Sequence, residues 1–216
     1  VSTTPLSRSR LGAVAFVAVG VLFLLYPAIR PYSDESSMDG AVAIASPAWV
    51  ASHLFAMIGF ILLPLGLFAL HRVLGQRRTA RALVVTWLGA GLVLPYYGAE
   101  DFGLNVIAGQ AVRDQNASLL RLVSEFRFAP VAGTMFLGGL VLLAVGVTMA
   151  AVAVARSGVL SRWSAVPLAA GFVLFIPQFF GSPALRIAHG VLIAAGGLWL
   201  GLELWRGRTG AGISTR

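Results

Sequence analysis

Six long apolar stretches dominate this chain of 216 residues, at roughly 11–30, 48–70, 82–107, 128–155, 164–180 and 185–205. A helix needs about 20 mostly apolar residues, and as few as ~17, to cross the hydrocarbon core of a bilayer. Only 11% of the residues are charged, 58% are hydrophobic, and the mean hydropathy is +0.86. A soluble domain carries about a quarter charged residues, so this chain lacks the polar surface to cover a water-soluble globule. The pattern predicts an all-α fold, a polytopic membrane helix bundle of six transmembrane helices, with residues 1–216 as a single transmembrane domain. The first stretch follows Arg8 and Arg10 as a signal peptide would. It has no small-x-small cleavage pattern before Tyr26-Pro27, and five more stretches come after it, so it reads as a retained span.

The basic residues give a direction. All sixteen are Arg. The N-terminus, the 71–81 and 156–163 loops and the C-terminal tail hold eleven: Arg8, Arg10, Arg72, Arg77, Arg78, Arg81, Arg156, Arg162, Arg206, Arg208 and Arg216. The other side holds five (Arg30, Arg113, Arg121, Arg127 and Arg186), with Asp34, Glu35, Asp39, Asp114 and Glu125. The positive-inside bias predicts a multi-pass protein of the inner (plasma) membrane with both termini cytoplasmic. Trp49 near the outer boundary, and Trp163 and Trp205 near the inner one, suit interfacial anchors. The net charge of +8 resides in these flanks rather than in a basic stripe, which speaks against nucleic acid as a partner. Absence of cysteine excludes disulfides, thiolate metal sites and cysteine nucleophiles.

Internal similarity suggests how the spans pair. Leu88-Gly89-Ala90-Gly91-Leu92-Val93-Leu94 runs into Pro95-Tyr96-Tyr97-Gly98, and Leu168-Ala169-Ala170-Gly171-Phe172-Val173-Leu174 into Pro177-Gln178-Phe179-Phe180-Gly181. The first span has a fainter version leading to Tyr26-Pro27. Three outward helices that each end near a proline predict three helical hairpins, 1–2, 3–4 and 5–6. A proline inside a helix frees a carbonyl that lipid cannot satisfy, so such breaks belong where protein or a wet cavity covers them.

Polar residues at membrane depth gather on the outer side. Tyr97, Glu100, Asp101 and Asn105 recur at spacings of three and four, which places them on one helix face. Glu100 lies about eighteen residues past Ala82, roughly 27 Å of helix. His53 starts the second span, Arg127 stands at the mouth of the fourth and Gln178 near the top of the fifth; Arg186 and His189 share a face of the sixth. Ionisable groups inside a membrane are costly, and a functional role is the working hypothesis for them. Glu100, Asp101, His53, His189 and Arg186 are the candidate acid/base residues, with Arg186 or Arg127 as cationic partner of the acids. Tyr96, Tyr97, Asn105, Arg127 and Gln178 are the candidate binding residues. A plainer role is open for each: carboxylates at headgroup level, Arg186 stapling the sixth span to the third, histidines bridging helices.

His53 and His189 lie on one side and could hold a haem or a metal ion, so the cofactor stays open. No H-x-x-x-H or H-E-x-x-H pattern assigns a metal site. Gly197-x-x-x-Gly201 permits close helix contact, within the chain or between copies in a homo-oligomer. Pro95-Tyr96-Tyr97-Gly98-Ala99-Glu100-Asp101-Phe102-Gly103, Trp49-x-x-Ser52-His53 and Leu185-Arg186-Ile187-Ala188-His189-Gly190 resemble small six-span integral membrane proteins of actinobacteria over the whole chain. The resemblance implies the bundle and no substrate, cofactor or mechanism.

The expectation is a membrane-embedded pocket, open to the outer leaflet, that binds a lipophilic, isoprenoid- or lipid-like small molecule among membrane lipids. If it is an enzyme, the chemistry is acid/base, of cyclase, isomerase or hydrolase type. Two alternatives stay open: a proton-linked transporter or permease component, and a non-catalytic subunit whose 31–47 and 108–126 segments dock a partner. The 31–47 segment reads as either a lid or a plain loop.

Overall fold

A computed structural model describes residues 5–206 and is all-helical over them, without a strand. Arg208 and Arg216, which count toward the orientation, lie outside the described residues, as does the side chain of Arg8.

The long elements are α1 (Pro5–Ile29), α3 (Pro47–Leu74), α4 (Arg77–Gly98), α7 (Pro130–Ala155) and α9 (Pro183–Arg206). Beyond α4, a π-helical turn (Ala99–Gly103) and α5 (Leu104–Arg113) continue the same path. Short elements complete the chain: α2 (Met38–Ile44), a 3-10 turn (Ala117–Leu120), α6 (Arg121–Arg127), α8 (Val166–Val173) and a second 3-10 turn (Pro177–Phe180). Among the described residues five helical segments are long and apolar enough to cross a membrane: Arg10–Ile29, Pro47–Leu74, Arg77–Arg113, Pro130–Ala155 and Pro183–Arg206. The 164–180 stretch, expected as a continuous span, is broken. Its α-helix is eight residues long, and Pro177, which has no N–H to give to the preceding turn, starts the 3-10 segment.

Local chemistry sets the ends. Ser46 caps α3 by accepting the Trp49 N–H at 3.2 Å, with Pro47 in the first turn, and Gly75 ends that helix at φ 64°. Ser37 caps α2 through the Gly40 N–H at 3.2 Å. The segment 31–47 is therefore partly helical rather than a plain loop.

α1 packs against both α3 and α9, α4 against α7, and α8 against α7 and α9. Small residues allow the closest approaches. A Cβ on Gly197 would stand 2.5 Å from the Phe16 carbonyl oxygen, and one on Gly201 2.9 Å from that of Ala13. The Gly197-x-x-x-Gly201 pair is thus used within the chain, against α1. Arg10 lies over the ring of Trp205 at 5.1 Å, so the start of α1 and the end of α9 meet at one end of the bundle.

Two cores result. The larger joins Phe16, Phe23, Phe60, Leu63, Phe172 and Phe175 along the bundle axis. The smaller, at the other end, joins Ala41, Ile44, Trp49, Leu104, Ala108, Leu120 and Val123, where α2, α5 and α6 cap the long helices. Outward faces stay apolar: Ile61, Leu65 and Phe68 on α3, Val84, Trp87 and Leu88 on α4, and Val141 and Val145 on α7 are exposed. Such faces are stable against lipid rather than water.

Candidate functional site

The capped end of the bundle holds a network of charge. Arg127, the last residue of α6, donates from Nε to both carboxylate oxygens of Glu100, at 3.0 and 3.1 Å. Its Nη2 also bonds Glu100, and its Nη1 bonds Glu35. Arg30 completes the chain, with Nη2 2.6 Å from the Glu35 carboxylate. Burial pushes the Glu35 carboxyl up, but the guanidinium groups of Arg127 and Arg30 outweigh it and hold the pKa below the ordinary glutamate value. Arg127 is likewise kept charged: burial opposes its charge, and the hydrogen bonds and negative charges of Glu100 and Glu35 together outweigh it.

Trp49 is the hub of this network. It is fully buried, its indole N–H donates to the Glu100 carbonyl at 3.1 Å, and the Arg30 guanidinium lies over its ring at 4.7 Å. The expected interfacial anchor is instead an internal platform, because α2 and α5 fold over it. Trp163 and Trp205 are exposed, with Arg162 and Arg10 stacked on them.

Beside the network lies a cavity of about 780 Å³. Tyr26, His53, Tyr96, Tyr97 and Glu100 form one part of its wall, and Arg30, Tyr32, Glu35, Arg127 and Arg186 the charged rim. Phe128, Phe136, Leu137, Phe179 and Phe180 supply the apolar side. Tyr96 stacks on Phe136 with ring centroids 4.1 Å apart. The Tyr32 hydroxyl donates to the Pro27 carbonyl at 2.9 Å, which ties the start of the 31–47 segment to the last turn of α1, where Pro27 lies inside the helix.

His53 is buried in the cavity wall. Its Nδ1 is 2.8 Å from the Trp49 carbonyl oxygen, which can only accept, so Nδ1 carries the proton and Nε2 keeps its lone pair. His189 is elsewhere: its Nε2 donates to the Gly171 carbonyl at 2.7 Å, its ring abuts Phe175, and it does not line the cavity. Between the two histidines stand Tyr97, Phe60 and Phe175, each ring 5.3–6.0 Å from the next. A haem shared by both rings does not fit through that packing. Among the described residues no cluster of three or more His, Asp or Glu side chains could hold a metal ion.

The remaining sequence candidates divide. Asp101 is fully buried outside the cavity, and neither carboxylate oxygen has a hydrogen-bond partner. Asn105 donates to the Ile44 carbonyl at 2.8 Å and pins α2 to α5. Gln178 is buried beside the cavity without lining it. The expectation of one common face fails at the π turn, where the Leu104 N–H reaches back to the Ala99 carbonyl. One extra residue in that turn rotates the rest of the helix by about 100° relative to a regular one. Tyr97 and Glu100 face the cavity; Asp101 and Asn105 do not. Arg186 does not staple α9 to an acid on α4. It donates to the carbonyls of Phe179 at 2.5 Å and Gly181 at 3.3 Å, holding the 177–181 turn.

Sequence reasoning missed Tyr26, Arg30, Tyr32 and Glu35 as wall residues. The available signal was the pairing of Tyr26-Pro27 with the nearby Arg30 and Glu35 at the same membrane boundary. No family model, curated protein or solved structure matches the chain.

Proposed function

We infer that this is a six-crossing membrane protein whose outer end binds a lipophilic, isoprenoid- or lipid-like small molecule. The arginine distribution supports the orientation. Contact between Arg10 at the start of α1 and Trp205 at the end of α9 supports six crossings, because an odd number would part those ends. The 164–180 stretch, helical in two pieces, is then one of the six, and the packing of α1 on α3, α4 on α7 and α8 on α9 supports three hairpins.

The observation that carries the functional reading is the cavity itself. At about 780 Å³ it lies within the ~300–1,000 Å³ range of small-molecule sites, and it combines an aromatic wall with convergent polar groups. Acid/base work on a bound molecule falls to His53, whose Nε2 takes no part in the ion pairs that engage Glu35 and Glu100 on the cavity wall. Glu100 acts through Arg127, as part of the wall that shapes the site, rather than as a proton donor.

Filling the cavity tests this. Leucine in place of Gly133 is compatible with the backbone, since a Cβ there meets only the Arg127 carbonyl at 3.7 Å, and its side chain extends into the cavity. Protein purified from its own membrane into nanodiscs is extracted and the lipophilic content measured by mass spectrometry. Wild type should retain about one molecule per chain of a species that Gly133→Leu loses. Equal content in the two overturns the reading.

A further inference from the structure

The charges around the cavity do not balance. Three guanidinium groups line it, from Arg30, Arg127 and Arg186, against two carboxylates, Glu35 and Glu100. Glu35 bonds Arg30 and Arg127, and Glu100 bonds Arg127, so both carboxylates are engaged away from Arg186. Among the described residues Arg186 has no ion pair. Its hydrogen bonds run to two neutral carbonyls, which leave its charge uncompensated. Arg30 and Arg186 flank one ring: their guanidinium carbons lie 5.3 and 5.7 Å from the centroid of Tyr32. Arg30, with a side chain about nine-tenths buried, also keeps a buried Nε–H that meets no acceptor.

A half-buried cation that meets carbonyls and a ring but no carboxylate is left with net charge at the edge of an apolar wall, and an anion is the group that neutralises it. The same cavity has an oily side. Phe128 and Phe180 are 83% and 88% exposed at its rim, and Leu137 and Phe179 continue the wall inward. Exposed aromatics there face lipid in the six-crossing reading, which makes the gap between the start of α7 and the Pro177–Phe180 turn a lateral mouth.

We propose that the ligand is an amphiphile with one net negative charge on its head, the head at Arg186 and Arg30 and the chain along Phe179, Phe180 and Leu137. This rests on the lipophilic-pocket reading and adds to it the charge and direction of the ligand. The head binds through charge-assisted hydrogen bonds, which are stronger than those to a neutral hydroxyl. Glu100 is engaged by Arg127, and Glu35 by Arg127 and Arg30, so Arg186 is the guanidinium on the cavity wall that neither carboxylate already neutralises.

The test uses the full chain in a maltoside detergent with cis-parinaric acid, whose fluorescence rises in apolar surroundings, and with the corresponding uncharged alcohol. The acid should bind saturably and about tenfold or more tighter than the alcohol, as a charged hydrogen bond predicts. Arg186→Gln should remove most of that preference and Arg186→Lys should keep most of it, because lysine preserves the charge while losing the two-carbonyl geometry of the turn. Short-chain phosphatidylglycerol and phosphatidylcholine then serve as competitors. Displacement by phosphatidylglycerol alone assigns the head to a phosphodiester, and displacement by neither assigns it to a carboxylate. Equal binding of acid and alcohol, equal displacement by both phospholipids, persistence of the preference in Arg186→Gln, or its loss in Arg186→Lys overturns the anionic head and leaves the pocket standing. Binding that Gly133→Leu does not reduce overturns both the pocket and the head.

Discussion

The Arg127 guanidinium holds Glu100 side-on, its Nε within 3.0 and 3.1 Å of the two carboxylate oxygens, across 27 residues of sequence. The same guanidinium reaches Glu35, so one cation joins the 31–47 segment, the π turn and α6.

Removing that cation alone should be costly. Arg127→Met leaves Glu35 half-compensated and Glu100 unpaired in a site where both side chains are largely buried. Breaking a buried pair on one side costs ~3–5 kcal/mol, whereas replacing both members costs far less. Unfolding by SDS titration in bicelles should show Arg127→Met strongly destabilised and Arg127→Met/Glu100→Gln partly recovered. Additive losses in the double variant would show that the two residues act separately.

Acid should loosen the same network. The Glu35 pKa is held below its ordinary value of 4.5, so the folded state gains stability from its ionised form. That gain is complete above pH 4.5 and disappears as pH falls through the lower folded value. An unfolding midpoint tracked from pH 7 downward should stay level and then drop, and Glu35→Gln should flatten the drop. A drop of the same size in the variant assigns the acid limb to other groups.

Asp101 predicts the opposite sign. A carboxyl that is fully buried with two unpartnered oxygens costs ~1–3 kcal/mol or more. Asp101→Leu, of similar shape, should raise stability in the same bicelle titration by an amount of that order. A fall instead would mean that water or an ion satisfies the carboxyl in the membrane.

Close helix contact gives a paired comparison. A side chain on Gly197 meets the α1 backbone, while one on Gly91 meets nothing within 4 Å. Gly197→Leu should lose at least ~1–3 kcal/mol through overpacking, and Gly91→Leu should be nearly neutral. Similar behaviour of the two by thermal unfolding would contradict the α1–α9 packing.

Hydropathy read position along the bundle well and azimuth poorly. Position comes from counting residues along an apolar run, so the gathering of Tyr97, Glu100, His53, Arg127 and Arg186 near one end was legible. That Glu100 or Asp101 would need Arg127 or Arg186 as a cation was legible too; which acid met which arginine was not. Which way each side chain turns depends on the helix ladder and on the elements that cover it. The π turn redirected Asp101 and Asn105, and α2, an element too short to register as a periodic pattern, buried Trp49. His189 looked equivalent to His53 because both begin a returning span; their rings point into different surroundings, a cavity in one case and Gly171 and Phe175 in the other.

The rings beneath the cavity have a consequence for traffic. Phe23 meets Phe60, Phe172 and Phe175 edge-on at 4.9–5.6 Å, a plug of hydrocarbon that offers neither water nor ion a foothold. In the lipophilic-pocket reading this plug closes the base of the cavity, so a ligand enters and leaves by the same mouth.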